Sequence, residues 1–141
     1  MRHDVILRVI AKLLIPFILL FALYVQFHGD FGPGGGFQAG VILAAAVIFY
    51  GLIYGLADAR KLVPEAVVES MMAIGVLIYG GVGVAGLLLG GNYLDYFVLD
   101  PNPVHGQHRG IFWVEVGVAV TVSGVMLKIF YMFADRGRVD E

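Results

Sequence analysis

Residues 70–94 read SMMAIGVLIYGGVGVAGLLLGGNYL, and from Ser70 to Leu94 there is no charged side chain. A helix rises 1.5 Å per residue and needs about 20 predominantly apolar residues to cross the hydrocarbon of a bilayer, so this run reads as a spanning helix. Phe31 to Ala57 is a second charge-free run of sufficient length. A third lies between Lys12 and Asp30; it reaches spanning length when Val5–Leu7 and Val9–Ala11 extend it and Arg8 and Lys12 snorkel to the interface. The fourth covers Gly110 to Ala134 and is interrupted by Glu115 and Lys128. The expectation is an all-α integral membrane protein with four transmembrane helices near residues 6–27, 35–57, 65–93 and 110–134, forming one membrane domain over residues 1–141.

Composition points the same way. The 141 residues are 60% hydrophobic and 14% charged, with a mean hydropathy of +0.87, against roughly 25% charged residues in an average soluble domain. A net charge of −2 offers no basic footprint for phosphates, which excludes nucleic-acid binding. The absence of cysteine excludes thiolate chemistry, cysteine-ligated zinc and iron–sulfur clusters within this chain. No Walker loop, G-x-S-x-G or H-E-x-x-H motif occurs, so the reading is of a protein that is not an enzyme, with no cofactor and no metal site.

Basic residues are distributed unevenly about the four runs. Arg2, Arg8, Lys12, Arg60, Lys61, Lys128, Arg136 and Arg138 fall on one side, and Arg109 alone on the other. The positive-inside rule then predicts that both termini and the 58–69 loop are cytoplasmic, with loops 28–35 and 95–109 facing outward. A basic start before an apolar run also resembles a secretory signal, but no A-x-A-like site follows Phe27 and the later spans need the first helix for orientation.

Twenty glycines in a helical chain call for close backbone approach between helices. At about 100° per residue, Gly75, Gly83, Gly86 and Gly90 share one face of the third span. The second span carries Gly36-x-x-x-Gly40 and Gly51-x-x-x-Gly55, both with small-x-x-x-small spacing. These positions, with Gly117, are expected to pack helix against helix or to receive partner helices.

Three places could carry chemistry. The outer turn, His28-Gly29-Asp30-Phe31-Gly32-Pro33-Gly34-Gly35-Gly36-Phe37-Gln38-Ala39-Gly40, reads first as a tight structural turn built on Pro33, Gly34, Gly35, Gly36 and Gly40 with Phe37 as an anchor. Its alternative is a broken-helix ion site with His28 and Asp30 beside it. Glu115 is the one acid inside a span, a functional-site candidate by default, expected about 7.5 Å below the outer end of a helix starting near Gly110. Its structural alternative is an interhelical hydrogen bond or an ion pair with Arg109 or a partner subunit. Glu65 and Glu69 follow Pro64 as a helix start would, with Glu69 the nearer to the hydrocarbon and so retained as a buried polar candidate. Lys128 is expected to snorkel to the cytoplasmic interface. His105 and His108 are spaced i, i+3, yet the glycine between them and the prolines before them favour wet loop residues over a zinc site.

The block Pro33-Gly34-Gly35-Gly36-Phe37-Gln38-Ala39-Gly40-Val41, together with Phe112-Trp113-Val114-Glu115-Val116-Gly117-Val118, resembles the B subunits of the Mrp-type, or Mnh-type, multisubunit Na⁺/H⁺ antiporters. The likeness extends over essentially the whole chain. His28 departs from the family pattern, lying five residues before Pro33 with Asp30 and Phe31 between. The resemblance implies a small, non-catalytic subunit in a bacterial or archaeal cell membrane. Its partners would be the large A and D subunits and the small C, E, F and G subunits, in a complex exchanging Na⁺ for H⁺. It also raises Glu115 as a participant in a buried ion path. The equivalent subunit of an energy-converting membrane-bound hydrogenase is the alternative, because neither complex places cofactor ligands in this chain. An autonomous small multidrug exporter is disfavoured, because such proteins resemble this one in size but carry their essential glutamate in the first helix.

Overall fold

The computed structural model describes residues 2–29 and 34–136, which form five helices and no strand. Helix α1 spans Arg2–His28 and continues through Pro16. Helix α2 spans Gly36–Tyr54, the short α3 spans Leu56–Leu62, and α4 spans Glu65–Leu88. A 3-10 turn at Tyr96–Leu99 precedes α5, Pro103–Arg136. Helices α1, α2, α4 and α5 are each long and apolar enough to cross a membrane.

The boundaries differ from expectation where glycine and proline act. The apolar run predicts a second helix reaching residue 57, but Gly55 has φ 103° and ends α2 after Tyr54. The chain restarts as α3, which places a helix where hydropathy predicts the 58–69 loop. The third spanning helix ends at Leu88 rather than near residue 93, with Gly90 at φ 87° closing its end.

The largest difference is at α5, which begins at Pro103 and not near Gly110. The Val104 N–H donates to Asn102 Oδ1 at 3.1 Å, a helix cap followed by proline at the first helical position. His105, Gly106 and His108 are therefore helical and not loop residues. The 34-residue helix is about 51 Å long by its rise per residue, so it extends well beyond the hydrocarbon.

In space α5 lies between α2 and α4, and α1 packs chiefly on α2. The interior is built from small residues: Ala11, Ala22, Ala39, Ala44, Ala46 and Ala59 are fully buried, joined by Val68, Leu127 and Tyr131. Large apolar side chains such as Leu13, Phe17, Leu77 and Leu88 point outward. That inversion suits lipid or neighbouring subunits, where association depends on close helix packing rather than on expelling water.

Two backbone crossings set the frame. A Cβ on Gly75 would stand 2.6 Å from the Gly117 carbonyl oxygen, and one on Gly117 would stand 2.8 Å from that of Gly75. The reciprocal contact pins α4 to α5. On the other side of α5, a Cβ on Gly40 would stand 2.7 Å from the Ala119 carbonyl oxygen, and Ser123 Oγ donates to the Gly40 carbonyl at 3.0 Å.

The remaining glycines divide. Gly51 packs against Ala59 and the Phe130 ring. Gly83 lies under the Tyr93 ring, and Gly86 lies against the backbone of Asn92 and Asp95. The face of α4 beyond Gly75 is thus covered by the returning loop of this same chain, not by a helix. At Gly55 and Gly90 a Cβ would meet nothing within 4 Å; both are helix breaks rather than packing positions. Gly106, Gly110 and Gly124 also make close approaches, to Tyr96 in the first two cases and to Val68 and Met72 in the third.

Candidate functional site

The glycine-rich turn and Glu115, separate features in the sequence, meet in the structure. Gly35 adopts φ 117°, ψ 179°, a conformation essentially restricted to glycine. Its N–H donates to the Val25 carbonyl at 3.1 Å, folding the turn back onto the last turn of α1. A Cβ on Gly35 would stand 2.9 Å from Glu115 Oε1, and one on Gly29 would stand 2.8 Å from Glu115 Oε2. Gly36 packs directly on the Glu115 backbone carbonyl. The half-buried Glu115 therefore fills, with its carboxylate and its backbone, the space that side chains at three turn glycines would occupy.

Gln38 Oε1 would lie 3.7 Å from the same Cβ on Gly35, adding a polar atom near the carboxylate. Arg109, considered as a counter-ion for Glu115, instead pairs with Asp100 at 2.7 Å. Because α5 begins at Pro103, Glu115 lies about 18 Å along the helix axis from its start, farther from that end than in a helix beginning at Gly110.

Other candidates lie elsewhere. His28 ends α1 and stacks on Tyr24 with ring centroids 5.2 Å apart. Asp30 and Pro33 lie outside the described residues. Phe37, expected to anchor the turn, is 61% exposed and faces outward from the bundle; Gly34 packs against the Val25 carbonyl.

Glu69 belongs to a separate cluster at the opposite end of the bundle. Lys128 donates to Glu69 Oε1 at 2.7 Å and to Glu65 Oε2 at 3.2 Å, so it is ion-paired rather than simply snorkelling. Arg60 joins Glu65 at 3.0 Å and also pairs with Asp135. The hydrogen bond to Asp135 holds the Arg60 guanidinium pKa above its ordinary value. Tyr131 Oη lies 2.9 Å from the Val63 carbonyl oxygen and 3.2 Å from that of Ala59. These contacts tie α3, α4 and α5 together. Among the described residues no group of three His, Asp or Glu side chains is placed to hold a metal ion.

What the turn site presents is a carboxylate set against glycine backbone. Such a group can hold and release a proton or pair with a small cation, and its surroundings make either state sensitive to position. The comparison with known proteins gives this arrangement its context. Residues 6–128 match the family described as a domain related to the MnhB subunit of Na⁺/H⁺ antiporters.

The chain belongs to the MnhB family.

The matched span contains both the glycine-rich turn and Glu115. Among curated relatives, the B subunit of the Na⁺/H⁺ antiporter of Alkalihalophilus pseudofirmus is 32% identical over 130 residues, covering 85% of this chain and 90% of that protein. The antiporter protein mnhB2 of Staphylococcus aureus strain Newman is 30% identical over 131 residues, covering 91% of this chain and 92% of its own length. With its four spanning helices, this MnhB-family chain is a small membrane subunit of a multisubunit Na⁺/H⁺ antiporter.

Sequence reasoning about the MnhB-family chain misses Gly29, Gln38, Ser123 and Gln26, the last a buried side-chain amide with no hydrogen-bond partner. Gln26 carries the clearest signal of the four, an amide inside the otherwise apolar stretch between Lys12 and His28. Gly29 and Ser123 carry no such signal, because their roles depend on which helix crosses them.

Proposed function

We propose that this antiporter subunit is a transporter component and not an enzyme, contributing to assembly and, through Glu115, to a buried polar path. Membership of the MnhB family and the names of the curated relatives support the antiporter reading over the redox alternative. The observation that carries the role of Glu115 is its position against Gly29, Gly35 and Gly36. Glu69 is neutralised by Lys128 and serves assembly of the opposite end.

The partners in this reading are the large A and D subunits and the small C, E, F and G subunits, in a bacterial or archaeal cell membrane. The excess of basic residues supports cytoplasmic termini. The outward-pointing Leu and Phe side chains of α1 and α4 would meet lipid and these partners. One intramembrane acid is too few for a proton relay, so the larger neighbours supply the rest of the path.

The test expresses the chain alone and with its partner subunits in a Na⁺-sensitive bacterium lacking its own antiporters. Antiport is expected only from the assembled complex, and antiport by the isolated chain would overturn the subunit reading. In the complex, Glu115→Gln is expected to preserve assembly and lower transport, whereas Glu115→Ala also loosens the turn. Normal transport and assembly by both variants at every pH would confine Glu115 to packing.

A further inference from the structure

Gln26 is 8% exposed, and both atoms of its side-chain amide are enclosed without a hydrogen-bond partner. An amide has two donor hydrogens and an acceptor oxygen, and burying it unbonded is strongly disfavoured. The rest of α1 shows that apolar side chains serve this helix well: Ala22, one turn away on the same face, is fully buried. A leucine or alanine at residue 26 would carry no such penalty.

The position of Gln26 indicates what satisfies it. Gly29 lies one turn outward on the same face of α1, and a Cβ on Gly29 would meet Glu115 Oε2. Gln26 is therefore about 4.5 Å deeper than the level of the carboxylate, by the rise per residue. The Val25 carbonyl beside it is already taken by the Gly35 N–H. On α2, the Gly40 carbonyl is taken by Ser123. Neither carbonyl accepts from the Gln26 amide, and the buried Ala22, Ala39 and Ala119 have no polar side-chain atoms.

We propose that Gln26 and Glu115 bracket one buried hydrated site whose ligand is water, and that this water exchanges protons with the Glu115 carboxyl. Buried water characteristically bridges polar groups that the chain leaves unbonded. The Gln26 carbonyl accepts one hydrogen of the water, and its NH₂ donates to a water oxygen. The chemical step moves one proton between the Glu115 carboxyl and this water: an O–H bond of the carboxylic acid breaks as an O–H bond to the water oxygen forms, leaving a carboxylate and a protonated water, and the reverse transfer restores the acid and the neutral water. No electron changes hands and no other bond is altered. Gln26 is thus a positioning residue, acting on Glu115 through water. The inference rests on the proposed role of Glu115.

A high-resolution map of the native complex tests it directly. Ordered water within hydrogen-bond distance of the Gln26 amide is expected, unchanged when sodium is replaced by choline. An amide bonded directly to a side chain of this or another subunit overturns the inference, as does density that disappears with sodium. Functionally, Gln26→Met should leave the complex assembled and reduce transport by about tenfold or more, on the scale of lost proton transfer, and Gln26→Asn should restore part of it. Full transport by Gln26→Met overturns the proton role. If Glu115→Gln transports normally while the water is present, the role of Glu115 fails and the hydrated site at Gln26 stands by itself.

Discussion

Gly35 and Glu115 are distant in sequence, yet a Cβ on Gly35 would lie 2.9 Å from Glu115 Oε1. The turn is glycine-rich at this point for two independent reasons. Its backbone at φ 117° excludes ordinary side chains, and the carboxylate already fills the volume such a side chain would need.

Gly35→Ala is accordingly expected to destabilise the subunit by about 3 kcal/mol, combining a backbone cost of about 1–3 kcal/mol with overpacking of similar size. Thermal unfolding of the purified complex measures the loss. Gly35→Ala combined with Glu115→Ala should recover the packing part only, because truncating Glu115 frees the volume but leaves φ unchanged. Full recovery would show that the backbone strain is unimportant.

The contact between α4 and α5 makes a sharper contrast. Gly75→Ala would force a methyl against the Gly117 carbonyl, whereas Gly80 and Gly81 have nothing within 4 Å of a Cβ. Gly75→Ala should cost about 1–3 kcal/mol from overpacking. Gly80→Ala in the isolated subunit should be neutral or gain up to about 1 kcal/mol in helix propensity. If Gly80→Ala is neutral in the isolated chain but disrupts the complex, a partner helix lies on that face. Blue-native electrophoresis alongside thermal unfolding separates the two outcomes.

Much of this architecture is legible in the sequence because charge and hydropathy report the bilayer directly. The apolar runs around Ser70–Leu94 and Phe31–Ala57 locate helices, and Pro64 followed by Glu65 marks the start of α4. Helix ends are less legible where hydropathy and chain geometry diverge. Asn102 and Pro103 begin α5 in polar sequence, before the hydrophobic run, and Gly55 ends α2 within an apolar one. The site itself is half visible. Glu115 stands out as an acid within a span and the turn as a glycine cluster, but nothing in either stretch encodes that they touch. That contact depends on the crossing of α2 over α5. Spacing alone likewise does not show that Gly83 and Gly86 serve the loop of their own chain.

Lys128 bridges two acids of α4 across the α4–α5 seam. Lys128→Met should lower stability at low salt, as the loss of two partly exposed ion pairs would, and the difference should shrink as ionic strength rises. Lys128→Arg should restore most of it. Unfolding measured at low and high salt checks both statements; a loss independent of salt would assign Lys128 a packing role through its methylene stem.

Alkaline pH should act on the loop between α4 and α5 through Tyr96. Its ring covers Gly110 and its backbone carbonyl meets Gly106, so it seals the 3-10 turn onto the start of α5. Burial, reinforced by Tyr79 and Tyr93, pushes the phenol above its ordinary pKa of 10.0. The folded state therefore favours the neutral phenol. The stabilisation is complete below pH about 10, where the unfolded phenol is neutral too, and it is lost as pH rises from there through the folded-state pKa. Ultraviolet titration should show a late-ionising component beyond that of the exposed tyrosines, and Tyr96→Phe should reduce it by one phenol. The variant should also retain more of its stability above pH about 10 than the parent, while packing at neutral pH is little changed because the ring remains. A parent and variant that lose stability in parallel through that range would show that another group governs the alkaline transition.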